Sequence, residues 1–475
     1  MAAGLSSSPL PQPVAATLRR AIAGKQVEWR SPSVAASVVR DGRPVFFHGV
    51  GDTDPTGDPD PTGDTDPTGG AGTRGSAGDA GGRLPSDDTQ YRIGSITKTF
   101  TAVLVMQCRD DGLLGLDDEL GRHLPDTKHG ALTVRRMLSH LSGLQREPAG
   151  DIWELGAGPQ LPELLAGLEQ AEAVLPPGRR WHYSNLAFAL LGELVGRLRG
   201  QRWEEALADR ILAPLELRRT SIGPVEPRAR GFFVDPYADR VHAEPLFPGN
   251  AFAPAGELWC TAADLGRWAA FIADPVADVL SPDTIEEMCH PQVMHDLEHW
   301  RLAWGLGFML HRRDDRLLVG HDGAMPGFLA GLAVRRPEKV GAVVFVNSSA
   351  GAAPGELAID LVLSVVDDDP AEPEPWRVGP EVPAELEPLL GSWWSEGSEF
   401  LFAAHDGKLE ARRSDLPKAE APAVFEPAGA DLYRTVSGRE HGELLRVVRD
   451  ESGAVTKMYW ATYPFTRIPQ TFGPA

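Results

Sequence analysis

Apolar residues first recur at helical spacing near the start of the chain, where Val14, Leu18 and Ile22 fall four apart and mark an amphipathic helix. The pattern then turns to apolar runs in SVAASVVRDGRPVFFHGVG, which read as two strands joined by Asp41-Gly42, a hairpin at the edge of a sheet. From Ser95 the apolar positions Ile96, Phe100, Val103 and Leu104 form one stripe of a helix expected to end near Gly112, with the serine in its first turn. Helical patterns return in LTVRRMLSHLSGL, NLAFALLGELVGRLRG and TAADLGRWAAFIAD. The stretch LLVGHDGAMPGFLAGLAVRRPEKVGAVVFVNSS reads instead as strands, with turns expected at Gly323 and at Pro337 to Lys339. Helices followed by returning strands predict an α+β fold, an antiparallel sheet flanked by helices with a helical cluster inserted.

Two stretches break the pattern. Residues 52–84 carry the tetrad DPTG at Asp54, Asp60 and Asp66 and almost no apolar residue, so they predict a disordered insertion. Calcium binding by those aspartates lacks the glutamate-terminated loop of an EF-hand. Residues 367–384 combine an acidic run with alternating prolines, the chemistry of a linker. They divide a main domain, 1–366, from a tail, 385–475. In the tail, alternation across Asp406-Gly407 and Ser452-Gly453 predicts a small antiparallel sheet or barrel without a catalytic cluster.

Composition narrows the function classes. The 475 residues carry 67 Asp plus Glu against 46 Lys plus Arg, a formal charge of -21 that repels phosphate backbones and anionic membrane surfaces. Neither nucleic acid nor membrane is expected as a partner. Cys108, Cys260 and Cys289 fit no disulfide framework and no metal or redox pattern, and no cofactor is expected. Arg19 and Arg20 are not followed by the apolar core of a signal peptide, and no run is long enough to span a bilayer. A cytoplasmic location is the resulting expectation.

Against that background, YRIGSITKTF places Ser95 and Lys98 three residues apart, one turn of helix, on the same face. A serine hydroxyl needs a base to become a nucleophile. An ammonium or a phenol must first be tuned down about 3 units from its pKa of about 10. PPGRRWHYSNLAFALLG supplies Tyr183 and Asn185 at a helix entry, where Tyr183 is expected partly as phenolate sharing one proton with Lys98. Asn185 is read as a ligand of the lysine or of a substrate carbonyl, or simply as the helix N-cap. VGHDGAMPGF supplies His321 and Gly323 on a strand with backbone amides towards a cleft. The second copy of His-Asp-Gly, 405–407, lies at a hairpin tip and is read as a turn.

Ser95-x-x-Lys98, Tyr183-x-Asn185 and His321-x-Gly323, in this order, resemble the penicillin-recognising serine hydrolases: class C β-lactamases, D-alanyl-D-alanine carboxypeptidases, D-aminopeptidases and related esterases. MLSHLSGL, ILAPLELRRTSI and WGLGF agree with that family as flanking segments, and the resemblance runs from about Pro32 to Val366. It implies an acyl-enzyme formed on Ser95, proton transfer by Lys98 and Tyr183, and an oxyanion hole of the Ser95 and Ala324 amides. Where β-lactamases and carboxypeptidases usually begin the third motif with lysine and follow it with a hydroxyl residue, this chain has His321 and Asp322. A small ester or amide is therefore the expected substrate, with β-lactam or D-alanyl-D-alanine peptide cleavage as the alternative and an inactive binding scaffold as the alternative of another kind. Asp322 is expected to repel an anion unless strand alternation turns it away. His295-x-x-Glu298-His299 also fits a zinc-peptidase pattern but is read as a polar surface turn. Trp393 and Trp394 are read as packing residues.

Overall fold

The computed structural model describes residues 9–57, 83–125, 127–372, 375–417 and 421–471. The chain divides into two compact units, Met1–Ala371 and Glu372–Ala475. Most of the stretch expected to be a disordered insertion, 58–82, lies outside the described residues. Its two stems meet, because Thr53 N donates to Arg83 O at 2.9 Å.

The first unit is built on one antiparallel sheet. Its strands are β1 (Ser33–Arg40), β2 (Arg43–Gly51), β3 (Val293–Met294), β4 (Leu302–Trp304), β5 (Met309–Arg313), β6 (Arg316–Met325), β7 (Phe328–Arg335) and β8 (Val340–Val346), in the spatial order β2-β1-β8-β7-β6-β5-β4-β3. The hairpin β1–β2 lies at the edge, as its pattern predicts, and turns through Asp41 and Gly42 at φ 49° and 76°. Alternation along the central strands sends Val34, Val38, Leu318, Ala342 and Val344 to one face and Val39, Val319, Val343 and Phe345 to the other.

Helices α1 (Gln12–Trp29) and α5 (Pro354–Asp368) cover the first face, α1 through Val14, Leu18 and Ile22. On the other face α4 (Ala262–Ala273) lies against β8 and β1, with α2 (Thr97–Asp110) and α3 (Asn185–Arg199) packed beyond it. The result is the expected α+β layer structure, an antiparallel sheet with helices on both faces.

Two local expectations are corrected. LTVRRMLSHLSGL contains only a short helix, Val134–Leu138, after which the chain turns at His140 with φ 56°. No turn occurs at Gly323: β6 runs through it to Met325, and the reversal comes at Pro326-Gly327, where Gly327 has φ 80°. Gly323 is glycine because a Cβ there would lie 1.9 Å from Ile93 O.

In the second unit, eight antiparallel strands from Gly391–Ser395 to Tyr463–Phe465 pair in sequence order. Trp394 exchanges both backbone hydrogen bonds with Thr466, just past the last strand, at 2.8 and 3.0 Å, which brings the end of the last strand against the first and nearly closes the sheet into a barrel. Asp406-Gly407 is a hairpin turn there. Trp393 is buried in the barrel core, its indole N–H donating to Leu389 O at 2.6 Å.

Candidate active site

Along Tyr91–Phe100 every residue is buried except Ser95, which is partly exposed. The serine lies in a short tight turn, Gly94–Ile96, from which α2 continues, so the helix pattern beginning at Ser95 is met by two joined pieces. Helix α2 is buried on every side from Thr97 to Cys108, and the hydroxyls of its first turns are hydrogen-bonded. Trp268 Nε1 donates to Thr99 Oγ1 at 2.9 Å, and Thr101 Oγ1 donates to Pro254 O at 2.8 Å. A turn held this rigidly presents one hydroxyl in one place.

Lys98, 0% exposed, donates from Nζ to Ser95 Oγ at 3.0 Å and to Ala255 O. Burial holds the amine well below the ordinary lysine pKa; Glu147 opposes that shift and Arg146 adds to it. Tyr183 lines the same cavity as Ser95, and its ring centroid lies 5.0 Å from Lys98 Nζ. The expected phenolate is corrected. Desolvation pushes the Tyr183 pKa above its usual value by more than the neighbouring Ser95 and Arg146 lower it, so the phenol keeps its proton. The low-pKa partner of the pair is the amine.

Tyr183 is positioned by a neighbouring segment. Ser184 is the N-cap of α3, its Oγ accepting from Ala187 N at 3.1 Å and donating to Gln145 O at 2.8 Å. Asn185 is therefore not the cap. Its backbone N donates to Arg146 O at 2.7 Å, and its Nδ2 donates to Glu147 Oε1 at 2.8 Å. Under the tyrosine ring, His140 stacks at 4.3 Å and accepts from Ser184 N at its Nδ1, 3.1 Å. Above it, the Arg146 guanidinium sits 4.9 Å from the ring centroid.

The third wall is β6. Its pairing with β5 ends at Gly320, so His321–Met325 is bonded only to β7 and offers a free backbone edge beside Ser95. The contact is close: a Cβ on Gly94, whose φ is 52°, would meet Ala324 N at 2.5 Å, and one on Gly323 would meet Ser95 N at 3.3 Å. The Ala324 amide is thus adjacent to the Ser95 turn. His321 Nδ1 donates to Asp322 O at 2.6 Å, leaving Nε2 buried without a partner. Burial and then Lys98 hold its pKa at about 3, so the ring is neutral.

Asp322 lies on the opposite face of β6, where its carboxylate packs on the start of α5; a Cβ on Gly355 would meet Asp322 Oδ1 at 1.8 Å. Alternation turns it away from Ser95, yet it still lines the outer cleft. The surrounding walls and then Glu356 push its carboxyl up to about 6.

All seven residues singled out in the sequence, Ser95, Lys98, Tyr183, Asn185, His321, Gly323 and Ala324, therefore meet in one cleft. Two cavities open from Ser95, Arg146 and Ala324. One of about 480 Å³ is walled by Trp181, Trp304 and His295, and the other, of about 490 Å³, carries Glu147, Asn185 and Glu244. Arg146, Glu147, His140 and Trp304 were not picked out as site residues by sequence reasoning. The zinc-type segment is not helical: Leu297–His299 is a turn, and among the described residues no cluster suited to a metal is found. His295 instead packs edge-on against Trp181 at 4.3 Å.

The Ser95 hydroxyl thus meets a buried low-pKa amine and lies beside a phenol and a free strand edge. The chain belongs to the Beta-lactamase family, which matches residues 18–367; a second match, over 382–467, is to a domain of unknown function, DUF7586. It is 30% identical to penicillin-binding protein 4 of Amycolatopsis lactamdurans over 65% of this chain and 86% of that one. Among solved structures it resembles the octameric penicillin-binding protein homologue of Pyrococcus abyssi, with a TM-score of 0.62 at 21% identity over 95% of this chain and 99% of the other. It also resembles the D-amino acid amidase of Ochrobactrum anthropi, with a TM-score of 0.60 at 21% identity over 76% and 100%. Among the described residues no helix is long and apolar enough to cross a membrane.

Proposed function

We propose that the protein hydrolyses small esters or amides through an acyl-enzyme on Ser95. The observation that carries this reading is the hydrogen bond of 3.0 Å between Ser95 Oγ and a fully buried amine, Lys98 Nζ, whose pKa is depressed. A neutral amine accepts the serine proton as Oγ bonds to the substrate carbonyl carbon. The proton then passes through the Tyr183 phenol to the leaving alcohol or amine as its bond to carbon breaks. Water, giving a proton back along the same route, attacks the acyl-serine and releases the acid and the free hydroxyl. The negative oxygen formed in each step is received by the backbone amides of Ser95 and Ala324, and each such donor is worth about 2.7–4 kcal/mol of barrier in comparable sites. Asn185, held by Glu147, and the edge of β6 at His321 and Gly323 orient the substrate.

The electrostatics favour a neutral or cationic substrate. His321 is neutral where a lysine would attract a carboxylate, and the cleft walls carry Glu147, Glu244, Asp322 and Glu356 against the one cation Arg146. The similarity to a D-amino acid amidase agrees with an amide that carries no carboxylate. The test is a panel of p-nitrophenyl esters, D-amino-acid amides and nitrocefin with wild type and Ser95→Ala. Turnover of an ester or amide that vanishes in the variant supports the reading. Turnover unchanged by the substitution removes Ser95 from the mechanism.

A further inference from the structure

The chemistry proposed above uses no residue of the second unit, whose barrel is closed at one end and open at the other. At the closed end the turn Glu387–Leu389 packs Leu386 and Leu389 against Trp393, and the Arg467 guanidinium covers that indole at 3.9 Å. Following the strands, the connections around Glu396, Leu416, Gly438 and Ala461 all fall at the opposite end. The interior opens there into a cavity of about 310 Å³, a size at the lower end of the roughly 300–1,000 Å³ typical of small-molecule sites.

The cavity exists because side-chain size changes along the barrel. Phe402, Leu409, Phe425, Leu445 and Met458 belong to the packed core of the barrel. Towards the mouth, two neighbouring strands place alanine opposite alanine, Ala411 against Ala423, and the space those positions leave is the cavity. Its walls are the rings of Phe400, Trp460 and Phe465. The Trp460 indole N–H is already committed to Thr435 Oγ1 at 2.8 Å, so the ring alone faces inwards. Ser395, also in the lining, has a buried Oγ without a hydrogen-bond partner. Such a group is uncommon in a native interior, and a ligand that bonds it recovers the loss. Among the described residues the charges at the rim are balanced: Asp415 grips Arg413 through bonds of 3.0 and 2.6 Å, Glu440 meets Arg439 at 3.4 Å, and Arg412 and Glu396 add one charge of each sign.

We propose that the barrel of residues 372–475 is a receptor for a compact, uncharged aromatic or alicyclic molecule that packs on Phe400, Trp460 and Phe465 and hydrogen-bonds the Ser395 hydroxyl. This site is independent of the hydrolytic reading.

The experiment titrates the full-length protein with the neutral probe N-phenyl-1-naphthylamine, reading probe emission excited through tryptophan. Saturable binding is expected, unchanged in Ser95→Ala and losing most of its energy transfer in Trp460→Phe. Ala423→Phe fills the cavity, and Leu416→Glu sets a charge at the exposed rim; each weakens binding at least ten-fold. The rim variant keeps the wild-type melting temperature, which separates loss of the site from loss of the fold. Absence of saturable binding, equal affinity in Leu416→Glu, or tighter binding of the anionic analogue 1-anilinonaphthalene-8-sulfonate overturns the proposal.

Discussion

Lys98 and Tyr183 are both proton-bearing groups placed against one serine, and burial acts on them in opposite directions. It favours the neutral form of each, which under the proposed function leaves the amine to act as a base and the phenol as an acid. Replacing Lys98 by alanine removes that base and is expected to slow acylation by about 10²–10⁴-fold. On the proposed mechanism, acylation in the wild type is expected to rise as pH passes upward through the depressed pKa of Lys98. Glu147 raises that pKa and Arg146 lowers it. Glu147→Gln therefore moves the rise to lower pH and Arg146→Gln to higher pH, and stopped-flow acylation across the pH range reads both signs. At this scale the sequence was informative because S-x-x-K and Y-x-N are local patterns. Arg146, Glu147 and His140 escaped because their roles depend on a chain crossing: MLSHLSGL and the residues after it act only where they cross the start of α3. Trp304, within WGLGF, is similarly visible as part of a flanking segment but not as a wall of the cleft.

Between elements, the site depends on how closely β6 approaches the Ser95 turn. Gly323 is buried against Ile93 O and Ser95 N, with no room for a methyl group. Gly323→Ala must push strand and turn apart, which costs about 1–3 kcal/mol or more. The expected result is a lower melting temperature together with a fall in turnover much larger than that in binding, because the Ala324 amide moves with the strand. The glycine was visible in the sequence but its reason was not: alternation of side chains located the strand, whereas a turn and a close backbone contact leave the same residue type. The Asp41-Gly42 hairpin was easier to read, since both flanking strands are apolar and the turn residues sit between them. The short helix Val134–Leu138 was overread because apolar spacing continues past the point where Ser139 and His140 leave helical geometry.

For the whole molecule, buried neutral histidines link the fold to pH. His321 is held at about 3 and His311 at about 4, and His140 lies well below its ordinary value, in each case through burial first. The unfolded chain binds more protons than the native one below pH 6.5, so stability falls as pH drops through that value and continues to fall towards the folded pKa of each ring. At pH 5, His321 alone contributes a loss of about 2 kcal/mol. Asp322, raised to about 6, acts in the opposite sense and offsets part of it. A melting temperature that declines between pH 6.5 and 5, less steeply in His321→Gln, is the expected outcome of calorimetry. Layer architecture and a β-rich tail were both legible, since strands and helices carry different apolar periods. Barrel closure was not, because it depends on Trp394 meeting Thr466 some seventy residues away.

The central claim is that Ser95 is the nucleophile of a working acyl-transfer site. It is tested most directly by incubating the protein with a fluorophosphonate probe and locating the adduct by peptide mass spectrometry. The account predicts one adduct per chain, on Ser95, and none in Ser95→Ala. An unlabelled Ser95 in folded protein, or an adduct on another residue, contradicts it.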